Sequence, residues 1–285
     1  MTQAAAPDPK ADGLAAELAE LAAAVAQEAA ELLLTRCGQA AVVQTKSSPT
    51  DVVTEMDRAA ELLIRDRLSR ARPSDAVLGE EGGQTGAGRI RWIVDPLDGT
   101  VNYLYGLPDW AVSIAAEVAG DVVAGAVCVP LRRSLFTAAR GGGAWLESGW
   151  RPGPRQQLAC TSGVDLAAAL VATGFSYAAG QRARQGAVAA AVLPRVRDIR
   201  RSGSAATDLC SVAAGHVDAY YEQGLQYWDL AAGGLIAREA GATTGGLHGQ
   251  AAGTDMTIAA PGGLFSALHD LLAEQFAGGG SSAAP

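Results

Sequence analysis

A chain of 285 residues, 49% apolar and 18% charged, is long enough to bury a large core in one domain or two. Its net charge of -8 and pI near 4.9 argue against nucleic acid as the main partner, because phosphate backbones reward basic surfaces. A small phosphorylated molecule stays open, since a bound metal can supply the positive charge.

Residues 1–12 read as a disordered tail, with no basic start and apolar core of a signal peptide. Leu14, Leu18, Leu21, Val25 and Leu32 then mark an amphipathic helix. Glu17, Glu20, Glu28 and Glu31 interrupt that run, so it is not a membrane span. A cytoplasmic protein without a membrane partner is expected. Ser48-Pro49-Thr50-Asp51 signals a turn between two extended pieces. A helix follows from near Asp57, with Met56, Ala60, Leu63, Ile64 and Leu68 on one face. Asp57 fits as its cap, and Lys46 as a surface lysine.

Ala76 to Gly79 is a short strand that delivers Glu80 and Glu81, and Gly82, Gly83, Gly86 and Gly88 make the next segment a flexible loop. Trp92 to Val94 is an apolar strand that breaks at Pro96. Asp95 and Asp98 stand three residues apart, with Gly99 and Thr100 next. A strand ending in Asp-x-x-Asp before a turn puts two carboxylates on one rim, the oxygen donors that hard divalent cations want. Backbone N–H groups of the turn favour an anion. Alone, Asp-Pro-x-Asp-Gly is equally an ordinary turn. Leu104 and Leu107 suggest a short helical turn that Pro108 ends.

Residues 111–118, 122–129 and 135–139 read as an antiparallel meander, with the two preceding helices packed on one face of its sheet. Arg151-Pro152-Gly153-Pro154-Arg155 is the expected boundary between halves, residues 13–150 and 151–277. The second half alternates: strand 170–172, helix 181–193, extended 196–200, helix 204–214, strand 217–222, helix 228–240, strand 256–259 and helix 264–276. That predicts a sheet covered by helices on both faces. Residues 278–285 read as a second tail. Cys37, Cys128, Cys160 and Cys210 form no C-x-x-C pair and read as free thiols, and the scattered His216, His248 and His269 make a zinc site or a Ser-His-Asp triad improbable.

Gly79-Glu80-Glu81, Asp95-Pro96-Leu97-Asp98-Gly99-Thr100 and Trp228-Asp229-Leu230-Ala231-Ala232-Gly233 follow in that order. Together they resemble the inositol monophosphatase family of Mg2+-dependent, lithium-sensitive phosphatases, over about residues 14–273. The resemblance implies a layered α-β-α-β-α sandwich of the α+β class and a phosphomonoesterase for inositol monophosphate. Histidinol phosphate or fructose 1,6-bisphosphate is the alternative ester, and a non-catalytic module for transcription machinery is a different class. It implies Mg2+, two to three per site: Glu80, Asp95 and the Leu97 carbonyl for the first, Asp95, Asp98 and Asp229 for the second, and Asp57 for a weaker third. Thr100 and Glu80 orient the attacking water. Phosphate rests on the Gly99 and Thr100 amides, and Gly203, Ser204, Ala205, Glu222 and Asp229 form the substrate pocket. Lys46 falls in a flap over the site, and Glu81 lies behind the ligands. A homodimer is implied, and Arg200 and Arg201 either approach a helix or touch a second subunit. The chain departs from the family where Asn102-Tyr103-Leu104-Tyr105 replaces Asn-Phe-x-His, which points to substrate preference.

Overall fold

The computed structural model describes residues 9–46, 52–149 and 155–277. The chain opens with α1 (Pro9–Leu34), β1 (Val42–Thr45), β2 (Val52–Thr54), α2 (Glu55–Ala71), β3 (Ala76–Gly79), β4 (Gly83–Thr85) and β5 (Ile90–Asp98). A single turn, α3 (Thr100–Leu104), leads into β6 (Ala111–Val118), β7 (Asp121–Val129), β8 (Ser134–Ala139), β9 (Gly143–Ser148) and β10 (Gln156–Gln157). The remainder is β11 (Leu170–Thr173), α4 (Ala179–Val192), β12 (Asp198–Arg200), α5 (Ala205–Ala213), β13 (Ala219–Glu222), α6 (Tyr227–Glu239), β14 (Thr243–Gly245), β15 (Thr257–Ala260) and α7 (Gly262–Ala277).

Two sheets organise these elements. The first has eight strands in the order β10-β9-β8-β7-β6-β5-β3-β4, all antiparallel except β3 with β5. The second has five, in the order β12-β11-β13-β15-β14. Period-two alternation explains why β6 is buried along almost its whole length. Its Val112, Ile114 and Ala116 pack with α1 and α2, whereas Ala111 and Ala115 pack with α5 and α6. The middle helices carry apolar residues on two sides. Ala206, Cys210, Ala232 and Ile236 meet the first sheet, and Leu209, Val212, Leu230 and Ala237 meet the second. Val188, Val192, Leu264 and Leu268 of α4 and α7 close the far face. The layers therefore run helix, sheet, helix, sheet, helix.

Several expectations change in detail. Helix α1 starts at Pro9, so the end of the predicted first tail is helical. Gly83 to Thr85 is an edge strand paired with β3 instead of a loop. Helix α2 is capped by Thr54, with Asp57 as the third residue of a reciprocal capping box. Strand β5 does not break at Pro96 but runs on through a bulge to Asp98. Leu107 is half exposed beyond α3. The turn at 48–51, most of the boundary at 151–155 and the tail at 278–285 lie outside the described residues. The four cysteines are free, and only Cys128 and Cys210 are buried. Among the described residues no helix is long and apolar enough to cross a membrane.

Candidate active site

The bulge in β5 decides how the two aspartates face. Without it, residues three apart on a strand point to opposite sides. Here Asp95 lies opposite Ser113 and Asp98 opposite Ala111, so one extra residue is taken up between them. Ser113 and Ala111 are two apart and share a face, and so do their partners. Pro96 sits in the bulge, where no ladder N–H is needed. The Leu97 side chain turns the other way into the core against Trp92 and Val94. Its amide donates to Asp95 Oδ1 at 3.0 Å, and its carbonyl lies 3.0 Å from Thr100 Oγ1. An apolar residue between the aspartates is thus explained by a backbone role.

The parallel pairing of β3 with β5 places Gly79 beside Val94, and hence Glu80 beside Asp95. Three helix starts hold the remaining carboxylates. Asp98 Oδ2 accepts from Ser204 Oγ and from the Ala206 amide, each at 2.7 Å, at the N-terminus of α5. Asp229 Oδ2 accepts from the Gln226 amide at 2.7 Å at the start of α6. Asp57 caps α2 through the Thr54 amide at 2.8 Å, and its Oδ1 lies 3.0 Å from Thr100 Oγ1. Thr100 Oγ1 is therefore coupled to Asp57, and Thr100 is the first residue of α3 after Gly99, not its cap. Positive helix ends favour the carboxylates gathered there.

Glu80, Asp95, Leu97, Asp98, Gly99, Thr100, Gly203, Ala205, Glu222 and Asp229 all line one cavity of about 400 Å3. Asp57 and Ser204 stand behind that wall and hold Thr100 and Asp98. Burial, then repulsion from Glu80, Asp98 and Asp229, holds the Asp95 carboxyl well above its usual range. Burial does the same for Asp229, reinforced by Asp98 and Glu80. Burial also raises Asp98, against the donors from Ser204 and Ala206. Glu80 is pushed up to about 7, mainly by burial and despite Lys46.

Lys46 Nζ contacts Glu80 at 2.6 Å and Glu81 at 2.5 Å. Burial alone would lower its pKa, but the two glutamates outweigh it and raise it. Among the described residues no three carboxylates close into a ready-made coordination cluster, each being turned to a protein donor. The donor set nevertheless fits a hard cation: only oxygen, mutually repelling and largely out of water. A divalent ion turns that repulsion into attraction.

The sequence pattern did not place four residues, Glu61, Gly174, Arg201 and Asp208, in this site. Glu61 is buried, accepts from the Glu81 and Gly82 amides at 2.7 and 2.8 Å, and pairs with Arg65 at 2.7 Å. A Cβ on Gly79 would stand 2.5 Å from its carboxylate, so the glycine before Glu80 makes room for this clamp. One helical turn from Asp57 was the signal available. Gly174 likewise leaves room for the Glu222 carboxylate. Asp208, bonded by Ser202, is pushed up to about 8 by burial first and by Glu222 and Asp98 after that. Arg201 lines the cavity and its charge partly offsets the burial that raises Asp98 and Glu222, so it faces the site instead of merely approaching a helix. Tyr103 and Tyr105 do not line the cavity. Tyr103 is buried, donates to Leu33 O at 2.6 Å and meets Trp110 edge-on, and Tyr105 is exposed. At these positions Tyr103 fills the core and Tyr105 faces solvent, so neither side chain reaches the cavity.

The sequence model of the inositol monophosphatase family matches residues 14–279. The chain belongs to that family. It is 49% identical over 256 residues to the inositol-1-monophosphatase SuhB of Mycobacterium tuberculosis, covering 86% of this chain and 87% of the relative. It is 45% identical over 197 residues to a Xylella fastidiosa protein named Nus factor SuhB, covering 69% of each. The solved structure of Mycobacterium tuberculosis SuhB superposes with a TM-score of 0.78 at 44% identity, over 91% of this chain and 97% of that one. The chain is accordingly a metal-dependent phosphatase acting on a small phosphorylated substrate.

Two predictions arise here. Glu61→Gln keeps one acceptor but loses the charge that holds Arg65 and the Glu80 loop. We expect the Mg2+ concentration for half-maximal activity to rise about tenfold, with kcat at saturating metal nearly kept. Wild-type metal dependence in Glu61→Gln would remove Glu61 as a positioning residue. The second concerns pH. With Glu80 and Glu222 near 7 and Asp208 near 8, the metal-free folded protein holds protons that the unfolded chain has released. Its stability therefore falls as pH rises from about 5 to about 8. Thermal melts in chelator should show that fall, and Mg2+ should reverse it at the alkaline end. A melting temperature that climbs through this window in chelator would contradict the pKa assignment.

Proposed function

We propose that this phosphatase hydrolyses inositol monophosphate to inositol and inorganic phosphate with Mg2+ as cofactor. The observation that carries the reading is the convergence, on one cavity that Leu97 also lines, of Glu80 after β3, Asp95 and Asp98 on β5, and Asp229 on α6. Residues 13–150 supply most of the metal donors, and residues 151–277 most of the substrate contacts. Glu80, Asp95 and the Leu97 carbonyl would hold one ion, Asp95, Asp98 and Asp229 a second, and Asp57 would help hold a third. Bound there, Mg2+ supplies positive charge to the phosphate and lowers the pKa of water.

The chain's own groups do the rest. Thr100 Oγ1, fixed between Asp57 and the Leu97 carbonyl, orients the attacking water, and Glu80 accepts its proton. The Gly99 and Thr100 amides seat the phosphate for in-line displacement. Glu222 accepts from Tyr220 Oη at 2.7 Å and offers its other lone pairs to ring hydroxyls. Gly203 and Ala205 keep the ring's approach open, and Ser204 acts through Asp98. We take the chain to work as a cytoplasmic homodimer with no nucleic-acid or membrane partner, in keeping with its acidic charge.

Phosphate release from inositol 1-phosphate, histidinol phosphate and fructose 1,6-bisphosphate, with Mg2+ and with chelator, tests this reading. Metal-dependent turnover led by inositol 1-phosphate supports it. Turnover led by another ester moves the substrate and keeps the chemistry. The relative named Nus factor SuhB favours a second reading, a binding role in transcription. No turnover of any ester by folded protein would favour that reading.

A further inference from the structure

Glu117 puts a carboxylate on an otherwise largely apolar face. It alternates along β6 with Ala111, Ser113 and Ala115, and Ala111 and Ala115 pack there against α5 and α6. Glu117 is buried, and its Oε2 accepts from Tyr227 Oη at 2.7 Å and from Arg91 Nη2 at 2.9 Å. The Arg91 guanidinium stands 5.9 Å from the centre of the Tyr227 ring, so each of the three groups meets the other two. Arg91 is also the cross-strand partner of Glu117. The cluster therefore joins β5, β6 and the first residue of α6. None of the three residues lines the catalytic cavity.

The joined elements are those that carry the carboxylates. Arg91 stands four residues before Asp95 on β5, about 13 Å along the strand. Tyr227 stands two residues before Asp229. The first turn of α6 has a weaker second hold on β6, where Ser113 Oγ lies 3.5 Å from Trp228 O. Ser113 is itself the partner of Asp95. Asp229 bonds to the Gln226 amide of its own helix start, a contact that orients its carboxylate without tying it to β5. A buried ion pair contributes little net stability against apolar side chains of the same volume, but its hydrogen bonds are directional. We propose that Glu117, with Arg91 and Tyr227, is a positioning residue that sets the distance between Asp229 and the β5 aspartates, and so the affinity of the ion they share. The proposal rests on the phosphatase reading above, in which Asp95, Asp98 and Asp229 hold one Mg2+.

The test measures Mg2+ binding to metal-stripped protein by calorimetry, melting temperature in chelator, and kcat as a function of Mg2+. It compares wild type, Tyr227→Phe, Glu117→Gln and Glu239→Ala. Tyr227→Phe keeps the ring beside Arg91 and loses only the hydroxyl. Glu117→Gln keeps an acceptor for that hydroxyl and loses the charge that holds Arg91. Glu239→Ala is the control, since Glu239 holds the other end of α6 through the Gly141 and Gly143 amides at 3.0 Å each. Tyr227→Phe should weaken Mg2+ binding about fivefold, less than is usual for a group that touches a ligand directly. The Mg2+ needed for half-maximal activity should rise by the same factor, with kcat at saturating metal within about twofold. Glu117→Gln should weaken binding at least as much. Glu239→Ala should lower the melting temperature in chelator and leave Mg2+ affinity within about twofold. Wild-type Mg2+ affinity in either cluster variant, or an equal loss of affinity in Glu239→Ala, overturns the positioning role and leaves the phosphatase reading standing. No Mg2+ binding by folded wild type overturns the phosphatase reading and the positioning role with it.

Discussion

Asp95→Asn should abolish turnover and yet make the metal-free protein more heat-stable. Asp95 lies at the centre of the carboxylate group, and Glu80, Asp98 and Asp229 all push its proton affinity upward. An asparagine keeps the oxygen that accepts from the Leu97 amide and removes the charge. The shared ligand is then lost, and kcat/KM should drop by about a thousandfold or more, roughly 4 kcal/mol of transition-state stabilisation. In chelator at pH 7.5 the cost of burying a carboxyl that must take up a proton is also gone, and the melting temperature should rise by a few degrees. Mg2+ should raise it far less than in wild type. A variant with normal turnover would remove Asp95 from the centre of the mechanism. One that melts lower in chelator would show that the carboxylates do not strain the metal-free fold.

Gly99→Ala should cost both stability and activity. Gly99 has a φ of 86°, where a side chain is strained by about 1–2 kcal/mol. An added Cβ would also stand 2.8 Å from Asp109 O and 3.2 Å from Gly203 O. Backbone oxygens on both sides leave no flexible neighbour to move, so the total cost should reach about 2–4 kcal/mol. The turn that aims the Gly99 and Thr100 amides would shift with it, and kcat/KM should fall about a hundredfold. Gly120→Ala is the control. Its φ is 91° but nothing lies within 4 Å of the added Cβ. It should lose only the about 1–2 kcal/mol of backbone strain and no activity. Equal losses in the two variants would mean that backbone strain alone, not the crowded turn, sets the effect.

These two sites also separate what a sequence can reveal from what it cannot. Asp95, Asp98 and Asp229 were legible because each sits at a local signal, a strand end or a helix start, that a short motif records. The meander was legible because the first sheet is buried on two faces and so carries long apolar runs. The bulge was not legible. Asp-Pro-Leu-Asp reads as a broken strand until its register against Ser113 and Ala111 is known. Edge strands β4 and β14 have three residues each and no periodicity to detect. Glu61 escaped notice for a different reason. A glutamate in the middle of a helix reads as surface, and only the fold brings the Glu81 and Gly82 amides to it. Thr100 was legible as a site residue, but its partner was not, because Asp57 lies 43 residues away and reaches it through a helix cap.

The most direct test of the account is a calorimetric titration of Mg2+ into metal-stripped protein at pH 7.5, repeated in two buffers of different ionisation enthalpy. Carboxyls held protonated by burial and mutual repulsion must lose their protons to take up the ion. The account predicts saturable binding with net proton release, and loss of both in Asp95→Asn. Binding without proton release, or identical binding by Asp95→Asn, would contradict it.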